Sequence, residues 1–300
     1  MYYGLVCIAV VLFGSQFLTK SEYVKKMGSG LFQTMFLSLL GSILGAIIMS
    51  FTNKLQFEFT PFTLLMAFIK YVNSFIFTLC SLKAFQWVNL SVYSVYSMLG
   101  GMLLPILAGV LFYQEQFTWG LGICCLFTAV AIVLVALKKG KKKEDNSEEE
   151  RKSRKVFWLA LLCYIGVFVS NGMSGVITKF YASAPYEKAS SAGYSLLSSI
   201  LSIALSLIFV LLLWKKRTKI YAKPTLIALC GNAGNLIANY LLLLALAVLP
   251  ASVNYSLVTG GTIIVSTVLS YFTAKKPTVK EWLAVGASFI GIMFLVFLPF

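Results

Sequence analysis

Ten apolar stretches, separated by short polar or charged segments, follow one another along the whole chain. Each is about 18 to 26 residues long, and a helix of ~20 apolar residues crosses a hydrocarbon core ~30 Å thick. We therefore predict ten transmembrane helices, at Met1–Leu18, Leu31–Phe51, Phe62–Leu82, Leu90–Tyr113, Gly120–Leu137, Val156–Ile177, Ala189–Trp214, Leu226–Leu249, Ala251–Ala274 and Trp282–Phe300.

The composition excludes an ordinary soluble domain, because 59% of the residues are hydrophobic and only 12% are charged. The chain has no histidine, which removes the commonest metal ligand and proton shuttle. Its six cysteines all fall within the predicted spans and show no metal-ligand spacing. We expect no catalytic residue, no metal and no cofactor.

A single charged segment divides the ten stretches into two sets of five. Lys138–Lys155 reads KKGKKKEDNSEEERKSRK, has almost no apolar residue and is predicted to be a solvated linker. Residues 1–137 and 156–300 then form two five-helix units, which must face opposite ways because five is odd. We predict an all-α membrane protein, with ten transmembrane helices arranged as two inverted five-helix repeats around a central cavity.

A weak internal similarity supports the repeat. A shift of 160 residues places Gly100-Gly101 on Gly260-Gly261 and Thr118 on Thr278. A shift of 155 residues brings Ser15-Gln16 onto Ser170-Asn171 in the first helix of each half.

The basic residues predict the orientation of the chain. Of the 25 Lys and Arg residues, only Lys54, Lys179 and Lys188 fall on one side of the predicted membrane, and Lys70 falls within a span. The others lie on the side of the charged linker, which the positive-inside rule assigns to the cytoplasm. We predict a multi-pass protein of the plasma membrane with both termini outside, in contact with lipid and not with nucleic acid.

The organisation resembles the drug/metabolite transporter superfamily, and within it the EamA-like proteins with ten helices. The local carriers are SLKAFQWVNLSVYSVYSMLGGMLLPILAGVLFYQEQFTWGLGICC and LALAVLPASVNYSLVTGGTIIVSTVLSYFTAKKPTVKEWLAVGASFIG. Glu115 matches the family's glutamate after the fourth helix, whereas the second half has Lys275 there. The resemblance implies that the first, third and fourth helices of each half line a cavity and that the fifth helices are peripheral.

The candidate site residues are polar side chains within the apolar stretches. Lys70 is the ionisable group predicted to lie deepest in a span, where a lysine costs ~2.5–3.5 kcal/mol on insertion scales. Other amides and hydroxyls recur at helical spacing and should face inward, either to bond neighbouring helices or to line a cavity. We predict that substrate contacts Lys70, Asn73, Tyr93, Tyr96, Gln16, Asn171, Asn232, Asn235, Tyr255 and Thr259.

These features favour a secondary transporter, an exporter or a facilitator, that moves a small polar metabolite by alternating access as a monomer or homodimer. Lys70, with all acidic residues outside the spans or at their ends, favours a solute with a carboxylate or phosphate, such as an amino acid. The alternatives are a sugar- or nucleoside-type uptake transporter and a multidrug exporter. A membrane-embedded enzyme acting on a lipid-linked substrate is a more distant alternative, because it needs a base or metal carboxylates at membrane depth.

The predicted orientation can be tested by labelling single cysteines in intact cells. A cysteine at Ser147 should react only from the cytoplasm, and one beside Lys54 only from outside, because short basic loops remain inside. An impermeant maleimide added outside measures both. Labelling of the Ser147 cysteine from outside would contradict the orientation.

Overall fold

The computed structural model describes residues 2–87, 90–113, 117–136, 147–217, 219–246, 251–273 and 276–298. Within those ranges the chain forms no strand, and a short 3-10 helix, Trp214–Lys216, follows the seventh helix. The α-helices are α1 Tyr2–Met27, α2 Leu31–Thr52, α3 Pro61–Trp87, α4 Leu90–Tyr113, α5 Trp119–Ala136, α6 Ser147–Ser183, α7 Ser191–Leu212, α8 Ala222–Leu246, α9 Ala251–Ser270 and α10 Val279–Phe297. The prediction of an all-α chain with ten helices is confirmed.

Six of these helices are long and apolar enough, among the described residues, to cross a membrane. They are α1 to α4, α6 and α7. Within α5 and α9 the described apolar segments are shorter, Trp119–Ala131 and Leu257–Ser270. The chain is therefore a multi-pass membrane protein, of which six of the ten predicted spans meet the length and composition expected of a span.

Several helices extend beyond their predicted bounds, and α1 and α6 do so by the most residues. The first was predicted to end at Leu18 but continues to Met27, so that Lys20 and Glu22 are helical. The sixth begins at Ser147, so residues Ser147–Lys155 of the predicted linker are helical. Glu, Lys and Arg are good helix formers, and they fill this charged segment. Residues 138–146 of the predicted linker lie outside the described ranges.

The principal helix contacts join the two halves of the chain. Helix α1 packs against α8 and α9, and α6 packs in the corresponding way against α3 and α4. Helices α2 and α7 contact each other, as do α4 and α9, and α5 and α10. Exchanging α1–α5 for α6–α10 leaves this set of contacts unchanged.

Helices α4 and α6 approach each other closely. A methyl group added at Gly100 would overlap the backbone carbonyl of Phe168, and one at Gly172 would lie 2.5 Å from the carbonyl oxygen of Gly100. Farther along, Gly175 faces the ring of Pro105 in the same manner. Small residues that let backbones approach closely are a common basis of helix association in membranes, where dispersion contacts replace the hydrophobic effect.

Gly100→Ala should therefore destabilise the protein, because the α6 backbone cannot yield to the added methyl group. Overpacking of this kind costs typically ~1–3 kcal/mol. Thermal unfolding in detergent measures the effect, with Gly286→Ala as control, since nothing lies within 4 Å of a methyl group there. Equal melting temperatures for the two variants would show that the α4–α6 contact is not close.

Candidate functional site

On one face of α3, the exposed residue Ser74 lies between residues that are packed against other helices. Thr63 and Ala67 are fully buried, and Phe77 packs against the main core cluster. Ser74 lies within about 60° of all three around the helix axis, at ~100° per residue, and yet is exposed. The neighbouring helices therefore leave space at the level of Ser74, on the face that also carries Lys70.

A face of α8 repeats this arrangement. Toward α1, a methyl group at Gly231 would collide with Thr19, and toward α2, one at Gly41 would lie 2.9 Å from Nδ2 of Asn232. Asn235 and Asn239 occupy the face between these two contacts, and Asn239 is exposed. Its amide donates a hydrogen bond to the carbonyl of Asn235 at 2.7 Å. The two exposed polar positions thus lie on the inward faces of α3 and α8.

The ammonium of Lys70 contacts an aromatic ring of α7 and no carboxylate of the described residues. Its Nζ lies 4.5 Å from the centroid of the Tyr194 ring, which is itself stacked on Tyr181 at 4.1 Å. Among the residues that the structure describes, no carboxylate oxygen lies within 4.0 Å of Lys70. The ion pair in this part of the chain joins Lys25 and Glu22. The ammonium is half-buried and is stabilised by the electron-rich face of an aromatic ring.

Two of the predicted amides hold helices together. Nδ2 of Asn73 donates to the carbonyl of Ser170 at 2.8 Å, and Nδ2 of Asn171 donates to the carbonyl of Ser97 at 2.6 Å. These bonds join α6 to α3 and to α4, and such interhelical bonds average ~0.6 kcal/mol. Asn73 and Asn171 are therefore structural in this conformation.

Other predicted site residues lie in the core. Tyr93 is 1% exposed, bonds the hydroxyl of Ser81 at 2.6 Å and packs its ring 4.1 Å from that of Phe85. Tyr96, Gln16 and Thr259 are also buried. Burial separates this group from the exposed faces of α3 and α8.

Of the remaining predicted residues, two asparagines lie on α8, and the side chain of Tyr255 is not described. Asn232 packs on α2 at Gly41, and Asn235 lies on the inward face of α8. The side chain of Tyr255 and the positions of Glu115 and Lys275 lie outside the part of the chain that is described. Of the predicted set, the structure thus brings Lys70 and Asn235 onto the two partly open faces.

Lys20 was not among the predicted site residues, because it lies beyond Leu18, the predicted end of the first helix. Because α1 continues to Met27, Lys20 lies within the helix, with its Nζ 5.8 Å from the centroid of the Phe77 ring on α3. The helix-favouring segment between Lys20 and Met27 contains no Gly or Pro, and this was the available signal.

A polar contact joins the two halves at the bundle end formed by the α2–α3 and α6–α7 connections, here called the Glu58 end. Glu58 accepts hydrogen bonds from the backbone N–H of Ser190 and, at 2.8 Å, from its hydroxyl. The same hydroxyl caps α7 by accepting from the N–H of Gly193 at 3.1 Å. Both bonds favour the ionised carboxylate and hold the pKa of Glu58 below its ordinary value.

The stability that Glu58 contributes should depend on pH. A lowered folded-state pKa gives a contribution that is present above the ordinary value, about 4.3, and is lost as the pH falls through the folded value. Glu58→Gln should therefore lower the melting temperature at pH 7, and its difference from wild type should shrink below about pH 4. Glu187→Gln, exposed on the α6–α7 connection at the same end of the bundle, is the control. A difference that does not change with pH would contradict the role of the charge.

Comparison with known proteins places the chain among transporters. The family model of the Major Facilitator Superfamily matches residues 88–297. A comparison with curated proteins finds no match. A solved structure, titled "Crystal structure of protein", is similar, with 14% sequence identity, a TM-score of 0.55, and coverage of 97% of this chain and 94% of its own. At that identity the likeness shows the fold alone.

The resemblance to the drug/metabolite transporter superfamily and its EamA-like members is wrong. The matching family model describes a different transporter superfamily. The expectation rested on helix number, glycine positions and hydropathy, which reflect the requirements of a lipid bilayer and recur in unrelated transporters.

Proposed function

Because the chain belongs to the major facilitator superfamily, whose members are secondary transporters of small substrates, we propose that it moves a small polar solute by alternating access. From the chain's own sequence and helix contacts, we also propose that its halves are inverted five-helix repeats around a central cavity. The observation that carries the choice of a polar solute is the exposure of Ser74 and Asn239 on otherwise packed inward faces. Hydrogen-bonding groups at such positions suit a solute with hydroxyl or amide groups.

Two observations support the inverted repeat. The hydroxyl of Ser42 bonds that of Ser202 at 2.7 Å, and these residues are 160 positions apart, the same shift that aligns Gly101 with Gly261. A two-fold axis brings equivalent residues together in this way. The aligned glycines also contact equivalent helices, since Gly101 faces Asn171 of α6 and Gly261 faces Val10 of α1.

The orientation proposed with this function places the Glu58 end outside and the Met27 end, where α1 meets α2, in the cytoplasm. It rests on the excess of basic residues at the second end. The plasma membrane is the proposed location, and the transporting unit is a monomer or a homodimer.

We place a sugar- or nucleoside-type solute first. The family match is at least as consistent with a sugar or a drug as with a carboxylate or phosphate compound. A cationic drug suits the site less well, because Lys20 and Lys70 are both within the described bundle and no carboxylate lies within 4.0 Å of either.

The solute class can be tested with purified protein. A ligand that binds only the folded state raises the free energy of unfolding by RT ln(1 + [L]/Kd), which is ~2.7 kcal/mol at a hundred times Kd, and so raises the melting temperature. Panels of sugars, nucleosides, amino acids, organic acids and cationic dyes should give stabilisation by members of one of the first two classes. Stabilisation by the cationic dyes alone would contradict the proposal.

A second candidate is a solute that carries a carboxylate or phosphate, and Lys70 is the observation that favours it. Its ammonium has an aromatic partner but no anionic one among the described residues. Lys70→Gln should then lower affinity for such a solute, since loss of a desolvated charge pair costs ~2–5 kcal/mol, and Lys70→Arg should retain part of the activity.

Transport of the identified solute into proteoliposomes, with Lys54→Gln as an exposed control, measures the contribution of Lys70. Uptake by Lys70→Gln at the wild-type rate would remove Lys70 from the binding site. Stabilisation of the purified protein by a neutral sugar or nucleoside would still support the transporter proposal in that case.

A further inference from the structure

Lys20 is a second half-buried cation, on a different helix from Lys70. Its Nζ lies 5.8 Å from the centroid of the Phe77 ring, which belongs to α3 and packs against the main core cluster. Phe77 lies two turns beyond Lys70 on the same face of α3, about 10 Å along the axis. Lys70 and the ring that Lys20 contacts therefore lie on one inward face of α3, with Ser74 between them.

Lys20 lies within α1, and its ammonium lies against a ring of α3. Its backbone lies seven residues from the end of α1 at Met27, about 10 Å. Its ammonium instead contacts Phe77, ten residues or about 15 Å from the end of α3 at Trp87. The charge is thus directed into the bundle.

No acidic side chain neutralises this charge in the described part of the chain. Glu22, the acid nearest in sequence, forms an ion pair with Lys25. No other carboxylate oxygen among the described residues lies within 4.0 Å of Lys20. An aromatic ring offsets only part of the hydration that a half-buried ammonium loses, so an anion at this position would be bound favourably.

We propose that Lys20 is an anion-binding residue, which receives a carboxylate or phosphate group of the solute on the Met27 side of Ser74. The inference rests on the proposed transport of a polar solute and favours its second candidate, a solute that carries an anionic group.

The test measures anion binding by the purified full chain. Melting temperatures are recorded with sodium phosphate and with sodium acetate, each against sodium chloride at equal ionic strength, which separates a phosphate site from a carboxylate site. We expect one of the two anions to stabilise the wild-type protein above chloride. Lys20→Gln should weaken that affinity at least about tenfold, whereas Lys20→Arg should keep it within about threefold.

Lys26→Gln is the matched control, because Lys26 is exposed near the end of the same helix, and its affinity should equal that of wild type. A measurement on the unchanged protein does not depend on the folding of a variant. Acetylation of lysines by acetic anhydride, followed by peptide mass spectrometry, should be slowed by the bound anion at Lys20 but not at Lys26.

Equal affinity of Lys20→Gln and wild type for both anions, or acetylation of Lys20 at the same rate with and without anion, would overturn the inference. If sugars or nucleosides stabilise the protein and neither anion does, the proposed function stands and the inference fails. If an anion protects Lys20 while no member of the sugar and nucleoside panels binds, the inference stands and the choice of solute in the proposed function fails.

Discussion

The packing of α6 between α3 and α4 is the interaction on which the rest of the structure depends. Backbone contact at Gly100 removes any space between α4 and α6, and the amides of Asn73 and Asn171 bond backbone carbonyls across the two interfaces. In hydrocarbon an unpaired amide costs several kcal/mol, so these bonds fix the relative position of the three helices as well as contributing energy. Beside these contacts, Ser74 stays exposed on the inward face of α3.

The same packing determines which parts can move together. Since α6 is held by α3 and α4, and α1 by α8 and α9, each tightly packed group contains helices from both halves of the sequence. Alternating access between such groups would change the α4–α9 contact and the hydroxyl pairs between α2 and α7, such as Ser42 with Ser202. A single hydroxyl pair contributes little, which suits an interface that must open and close repeatedly.

The sequence predicted the helices well and the site less well, for identifiable reasons. A bilayer requires a run of apolar residues, so Leu31–Phe51 was predicted to within one residue of α2. Helical spacing placed Asn73 on an inward face, but spacing does not identify the group on the opposite helix, which is the carbonyl of Ser170. The end of α1 could not be read from hydropathy, because lysines beyond Leu18 suggested a loop, and Lys20 was missed for that reason.

Distances between spin labels at the two ends of the bundle test alternating access most directly. One pair, Tyr3→Cys with Ala182→Cys, reports the Glu58 end, and the other, Lys26→Cys with Lys83→Cys, reports the opposite end; all four positions are exposed. In lipid nanodiscs, with and without the transported solute, alternating access predicts that one distance lengthens as the other shortens. Distances that stay constant, or that change together, would contradict alternating access.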